Sequence, residues 1–439
     1  MDDDNYLTNS NLDLENSAGI RNKIMELISQ YAENAHSKKP FVPGKSLIPV
    51  SGKVFGKKEI QMLVSSSLDF WLTTGRFNKE FEKRLGQFLG VKFVITTNSG
   101  SSANLLALSS LTSEQLGEKS LKPGDEVVTV AAGFPTTVNP ILQNNLIPVF
   151  IDVRIPSYVI DENLIEENIT KKTKAIMIAH TLGNAFNIKK ITDIARKHNL
   201  WLIEDCCDAL GTTYDEKFVG TFGDLSTLSF YPAHHITMGE GGAVLTNNPQ
   251  LKRIVESFRD WGRDCYCATG KSNTCGKRFE WKLGDLPFGY DHKYTYSHVG
   301  YNLKITDMQA AIGLAQLDRL PEFIKIRKEN FEFLYNGLSS FEKFLILPDS
   351  SENCKPSWFG FPITVKDNIQ FSKESLVNYL AGKLVDTRSI FAGNLIKQPY
   401  FKNKIFRTSK TLSNTNKIPS GSLFLYSKTF KTNFLFTIL

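Results

Sequence analysis

The chain has 439 residues, a formal net charge of +7, 41% hydrophobic and 22% charged residues, which is the composition of a globular protein large enough for two domains. The positive charge is spread along the chain and forms no basic stripe, which argues against a nucleic-acid partner; no apolar run approaches about 18 residues and the start MDDDNY is acidic, so the expectation is a cytoplasmic protein without membrane span or signal peptide. Six cysteines in a cytosolic chain of this size point to metal binding, catalysis or burial and away from a disulfide scaffold.

The first residues, 1–18, are polar and carry no structural pattern, and RNKIMELISQYAENAH then has helical spacing of apolar side chains. This N-terminal segment, 1–55, leads into a large domain expected over 56–325. Within it VKFVITT, DEVVTV, IPVFIDV, KAIMIAH, LWLIEDC, LSTLSFY and GAVLTNN read as strands. They alternate with helices, one opening near Ser101 and another in KKITDIARKHNL, and that alternation predicts an α/β fold with a mostly parallel sheet. Between 261 and 298 the pattern breaks into a loop rich in glycine and charge that carries Cys265, Cys267 and Cys275. A loop this long in a compact domain is functional or disordered, and the cysteines favour function. NLKITDMQAAIGLAQLDRL resumes as a helix. Residues 326–439 read as a smaller C-terminal α/β domain, in which 417–439 lacks helical periodicity.

Several side chains carry chemistry. Gly100, Ser101 and Ser102 follow a strand and open a helix, where free amides favour a phosphate, although the same pattern serves simple capping more often. Asp205 closes the strand LWLIED and is either a functional or a capping carboxylate. His234 titrates near neutral pH and can move protons, or it is a satisfied structural residue. Cys207, Cys265, Cys267 and Cys275 have the spacing C-x57-C-x-C-x7-C. Four thiolates can hold an iron–sulfur cluster or zinc, and spacing alone leaves these two and plain burial open. Cys206 and Cys354 stand outside this pattern and read as buried thiols. Cys207 lies two residues past Asp205, about 7 Å in extended chain, so whatever the two residues hold must be close neighbours.

NSGSSANLLAL, GFPTTVNPI, LIPVFIDV, IEDCCDALG, SFYPAHHITMGEGG and GYNLKITDMQAAIGLAQL occur in the order seen in fold-type I sugar aminotransferases. Over roughly residues 20–415 the chain resembles the DegT/DnrJ/EryC1/StrS family. The resemblance implies a fold-type I PLP-dependent transferase-like fold, with 56–325 as the domain binding pyridoxal or pyridoxamine 5'-phosphate (PLP/PMP). It places Gly100, Ser101, Ser102, Ser229 and Asn302 at the phosphate, with the asparagine supplied by the partner subunit of a homodimer. Phe134 would lie against the cofactor ring and Asp205 at its pyridine nitrogen. His234, five residues after Ser229 and seven before Gly241, stands where these enzymes carry their Schiff-base lysine, which implies noncovalent PMP with His234 as general base.

The histidine, the four cysteines and LVDTRSIFAGNLIKQPYF are most similar to the branch that removes the C-3 hydroxyl of CDP-4-dehydro-6-deoxyglucose in 3,6-dideoxyhexose synthesis for the lipopolysaccharide O-antigen. That likeness implies a 2Fe–2S cluster on Cys207, Cys265, Cys267 and Cys275, an NAD(P)H-dependent flavin/iron–sulfur reductase as electron donor, and Arg388 as a substrate contact. A cluster-free 3-dehydratase and a catalytically inactive dimeric binding protein are the rival readings. After about Asn416 the sequence departs from the family's usual ending, as a frameshifted or recombined tail would, and reduced stability or activity is the expectation.

Overall fold

The computed structural model describes residues 14–37, 40–52, 54–367 and 369–426. Three helices come first: α1 (Leu14–Ala35), α2 (Lys57–Asp69) and α3 (Arg76–Leu89). The spacing of Phe77, Phe81, Leu85 and Leu89 puts one face of α3 into the core, and Gly90, at φ 74°, ends the helix in the left-handed conformation that glycine adopts without a Cβ clash. Strands and helices then alternate through β1 (Phe93–Thr97), α4 (Gly100–Ser110), β2 (Glu126–Val130), α5 (Pro135–Gln143), β3 (Ile147–Ile151), β4 (Thr173–Ala179), α6 (Ile188–Lys197), β5 (Trp201–Asp205), β6 (Thr213–Tyr214), β7 (Lys217–Phe218), β8 (Leu225–Ser229), β9 (Gly242–Thr246) and α7 (Pro249–Arg259). Beyond the cysteine-bearing loop come α8 (Asp307–Leu317), α9 (Leu320–Leu338), β10 (Leu345–Ile346), β11 (Cys354–Lys355), β12 (Gly360–Val365), α10 (Lys373–Gly382), β13 (Arg388–Ser389), β14 (Arg407–Thr408), α11 (Ser413–Gly421) and β15 (Ser422–Tyr426).

The main sheet has the order β1-β9-β8-β5-β4-β2-β3-β14. Its pairings are parallel except the two made by β9, so the fold is the mostly parallel α/β architecture expected from the run of hydrophobic segments. Apolar clusters lie on both faces, and the alternation along β5 sends Leu202 into one and Ile203 into the other. Glu204 and Asp205 follow the same alternation to opposite faces. In an open parallel sheet the carboxyl ends of the strands are where ligands bind, and Asp205 is the last residue of β5.

A second sheet, β10-β12-β15-β13, is antiparallel and packs with α9 and α10 around Leu334, Leu338, Phe361, Ile363, Leu380 and Leu425. The boundary expected at 326 is not clean. β14 leaves this smaller unit and pairs with β3 on the edge of the main sheet, Arg407 opposite Val149, while Leu395 and Phe401 bury against Ala131, Val138 and Phe150. The stretch from 417, which has no helical period, closes α11 around Pro419 and then supplies β15 between β12 and β13. Residues 14–18, read from sequence as part of a patternless start, instead open α1, while 1–13 and the ending 427–439 lie outside the described residues. Among the described residues no helix is long and apolar enough to cross a membrane.

Candidate active site

The first turn of α4 forms the floor of the site. Ser99 caps the helix, its Oγ accepting from the Ser102 amide at 3.0 Å. That amide is therefore occupied, and Ser102 offers its hydroxyl to a ligand, whereas helix geometry leaves the Gly100 and Ser101 amides pointing out of the N-terminus. Gly100 is required by the fit: a Cβ there would sit 2.4 Å from the Ser229 Cβ. Gly242 is equally confined, 2.4 Å from the Ser99 carbonyl. Two glycines and two serines thus build a tight anion cradle at a positive helix end.

Asp205 is buried above this cradle. Its Oδ2 accepts from Asn104 Nδ2 at 2.8 Å and Thr137 Oγ1 at 2.7 Å, and its Oδ1 accepts from the Cys207 amide at 3.1 Å. Asn104 is fixed in turn by the Thr227 hydroxyl at 2.6 Å. Donors on three different elements therefore hold one ionisable oxygen pair in place, as a site for a protonated ring nitrogen demands. Phe134, at the start of α5, is 52% exposed, its ring edge-on to Phe391. A large apolar ring left open beside a buried carboxylate is a ready surface for a planar ligand.

His234 lies in the excursion between β8 and β9. Its Nδ1 faces Asp208 Oδ1 at 3.4 Å, and its ring packs at 5.2 Å from that of Phe359. Burial holds the Asp208 carboxyl above its ordinary range, and contact with His234 offsets this only in part. Arg327, fully buried, donates to the Trp358 carbonyl at 2.8 Å and to the His234 carbonyl at 3.5 Å, tying the excursion to the chain that carries Phe359. His235 points elsewhere, its Nε2 on the Ser357 carbonyl at 2.8 Å. Asp208 and Arg327 were not picked out by sequence reasoning. The first could have been noticed as a second carboxylate three residues past Asp205; the second carries no local signal in α9.

The other expected residues are more scattered. Asn302 is exposed and forms an isolated bridge with Asp260. Arg388, in β13, is exposed and donates to the Thr387 carbonyl, three residues from Phe391. Cys207 is half-buried; burial, then the Asp205 and Asp208 carboxylates, push its thiol well up. Cys267 Sγ lies 3.1 Å from the Thr274 hydroxyl, and although burial opposes it, contact with Thr274 and Cys265 brings the Cys267 thiol below its ordinary range. Cys275 Sγ faces His292 Nε2 at 3.9 Å.

Paired, partly exposed thiols have the donor chemistry of a metal or cluster site. In one chain, however, the four cysteines do not share one cavity wall. Cys265 and Cys267 line a cavity of about 1320 Å³ with Trp71, Arg253 and His292, and Cys207 does not. Among the described residues the one group of three metal-capable donors within 4.8 Å is His180, Glu204 and Cys206. There the Glu204 carboxylate already accepts from Gly220, Phe222, Gly223 and His180, which makes it a brace beneath the strand end. Cys206 is fully buried as expected, and Cys354 half-buried.

Known proteins are similar to this chain in sequence and in fold. Lipopolysaccharide biosynthesis protein RfbH of Salmonella typhimurium is 64% identical over 406 residues, 92% of this chain and 93% of that protein. A dTDP-4-dehydro-2,6-dideoxy-D-glucose 3-dehydratase of Saccharopolyspora spinosa is 48% identical, covering 90% of this chain and 85% of its own. The solved E. coli GDP-4-keto-6-deoxy-D-mannose-3-dehydratase with bound hydrated PLP superposes with a TM-score of 0.79 at 27% identity, over 88% of this chain and 97% of its own. The match to the family's sequence pattern runs over residues 54–429 and so includes β15, which the sequence reading had set apart. The chain therefore belongs to the DegT/DnrJ/EryC1/StrS aminotransferase family, with the fold of its PLP-dependent members.

Proposed function

We propose that the protein is a PMP-dependent nucleotide-sugar 3-dehydratase of lipopolysaccharide synthesis, acting on CDP-4-dehydro-6-deoxyglucose in the cytoplasm as a homodimer. The observation that carries this reading is the His234–Asp208 pair beside Asp205, where related aminotransferases hold an amine. An imidazole whose Nδ1 faces a carboxylate can present Nε2 as a base, and it cannot bind the cofactor covalently.

When bound, PMP supplies an amine and an electron-withdrawing ring, and the proposed 2Fe–2S cluster on Cys207, Cys265, Cys267 and Cys275 supplies single electrons drawn from a flavin/iron–sulfur reductase. The chain's own residues do the rest. The α4 cradle and the Ser229 hydroxyl bind and orient the phosphate, and Asn302 completes that site from the second subunit. Asp205 keeps the pyridine nitrogen protonated, Phe134 covers a ring face, His234 takes the methylene proton beside the departing C-3 hydroxyl, and Arg388 contacts the sugar nucleotide. A cluster-free dehydration is the second reading, favoured by the placing of Cys207 away from the wall that holds Cys265 and Cys267.

The test is exchange of the PMP methylene proton with deuterated solvent in the presence of the CDP sugar. Wild-type protein exchanges it, and His234→Asn slows exchange by about 10² to 10⁴-fold, the usual worth of a general base. Unimpaired exchange in that variant removes His234 from the reaction.

A further inference from the structure

In one chain the proposed ligands do not all line one cavity: Cys265 and Cys267 line it and Cys207 does not. Cys207 ends the run Asp205–Cys206–Cys207 at the close of β5, beside Asp208 and His234. Cys265 and Cys267 line the cavity behind Trp71 and α7, and none of Cys207, Asp205, Asp208 and His234 reaches that cavity.

The loop is also moored. The Trp261 amide donates to the Tyr301 carbonyl at 2.6 Å and the Gly262 amide to the Ser257 carbonyl at 2.7 Å. His298 sits between Ser113 Oγ at 2.7 Å and Ser257 Oγ at 2.8 Å, and Tyr301 reaches Ser109 at 3.1 Å. Both ends are thereby fixed against α4 and α7, so swinging the whole loop toward its own Cys207 would break these bonds together.

Both regions leave apolar side chains in solvent. Tyr231, beside His234, is 51% exposed, as is Phe134 to a similar extent; on the loop, Phe288 is 74% and Val299 92% exposed, with Phe279, Tyr294 and Tyr296 open as well. Single exposed aromatics need no explanation, but a group of them on one loop marks a surface that something covers. A two-fold axis makes a surface on one copy meet a different surface on the other, and the reverse, so two unlike open patches are covered in one act by pairing identical chains.

We infer, on the reading of the four cysteines as one ligand set, that this set is completed between two copies of the chain: Cys207 of one protomer with the partner's Cys265, the partner's Cys267 and the partner's Cys275. Each dimer then carries two composite sites, and each site stands next to the Asp205 and His234 of the protomer that supplies Cys207.

Mixed dimers decide it. A chain carrying Cys207→Ala and a chain carrying Cys265→Ala are produced with different tags. The heterodimer is isolated through both tags, reconstituted anaerobically with iron and sulfide and reduced with dithionite. Spin-counted electron paramagnetic resonance and acid-labile sulfide are then read. In a composite arrangement one site of the heterodimer bears both lesions and the other bears neither, so half the wild-type signal returns while both homodimers are silent. A heterodimer as silent as its parents, or homodimers that keep the signal, overturns the inference. So does a wild-type protein that holds its full cluster as a monomer. Cys275→Ala in place of Cys265→Ala gives the same half signal and guards against one variant failing to fold. Absence of any 2Fe–2S signal from wild-type dimer sinks the reading of the cysteines itself, a result separate from the complementation outcome.

Discussion

Replacing Asp208 by asparagine keeps the side chain's shape but removes the charge that faces His234 Nδ1 at 3.4 Å. The expected result is slower exchange of the PMP methylene proton by about 10²-fold, at the low end of what a general base is worth, with cofactor affinity unchanged because Asp205 and the α4 cradle are untouched. Equal exchange rates in Asp208→Asn and wild type would show that the imidazole orients itself without help. As candidates, Asp205 could be picked out because it closes an apolar strand, and His234 because it stands at fixed offsets within a recognisable segment. Asp208 was not, since His234 follows β8 while Asp208 follows β5, and only the pairing of those two strands brings them together. Arg327 was less legible still: a buried arginine that holds a carbonyl has no pattern in its own helix.

At the level of elements, runs such as EVVTV and FVITT declared themselves because a strand buried on both faces must be continuously apolar, and these strands lie where the sequence put them. The two-residue β13 and β14 did not, because short edge pairings depend on distant partners and not on local pattern. The cysteine loop depends on His298 in the same way. Burial holds this imidazole below its ordinary range, so it is neutral between Ser113 and Ser257 at pH 7. An unfolded chain takes up a proton here below about pH 6.5 while the folded chain resists it, so the stability this residue contributes is complete above that pH and is lost as pH falls. The thermal midpoint of wild type should accordingly exceed that of His298→Asn by more at pH 8 than at pH 5.5. A gap that widens on acidification would mean that the charged form is the one the fold holds.

The whole molecule couples a large, mostly parallel sheet to a small antiparallel one through a chain that crosses between them twice, at β14 and again at α11. The tail that looked foreign to the family supplies an inner strand of the small sheet, and Leu425 from it is buried among Leu334, Phe361 and Ile363. Leu425→Ala should cost about 2 to 5 kcal/mol in chemical denaturation, as deletion of buried leucine atoms does, and a change near zero would mean that β15 adds nothing to the folded state. The excursion that carries His234 is built on the opposite principle. Its ends are sewn to each other, Ser229 opposite Gly242 with the Phe230 amide on the Gly241 carbonyl at 2.8 Å, and the Met238 amide returns to the Phe230 carbonyl at 2.9 Å. The side chain at 234 hangs from a closed buckle and bears no load in the sheet. An amine can be exchanged there for an imidazole, or His234→Lys made in the laboratory, without re-sorting a single strand. A scaffold arranged in this way lets the residue at 234 change while the strands on either side of it keep their places and partners.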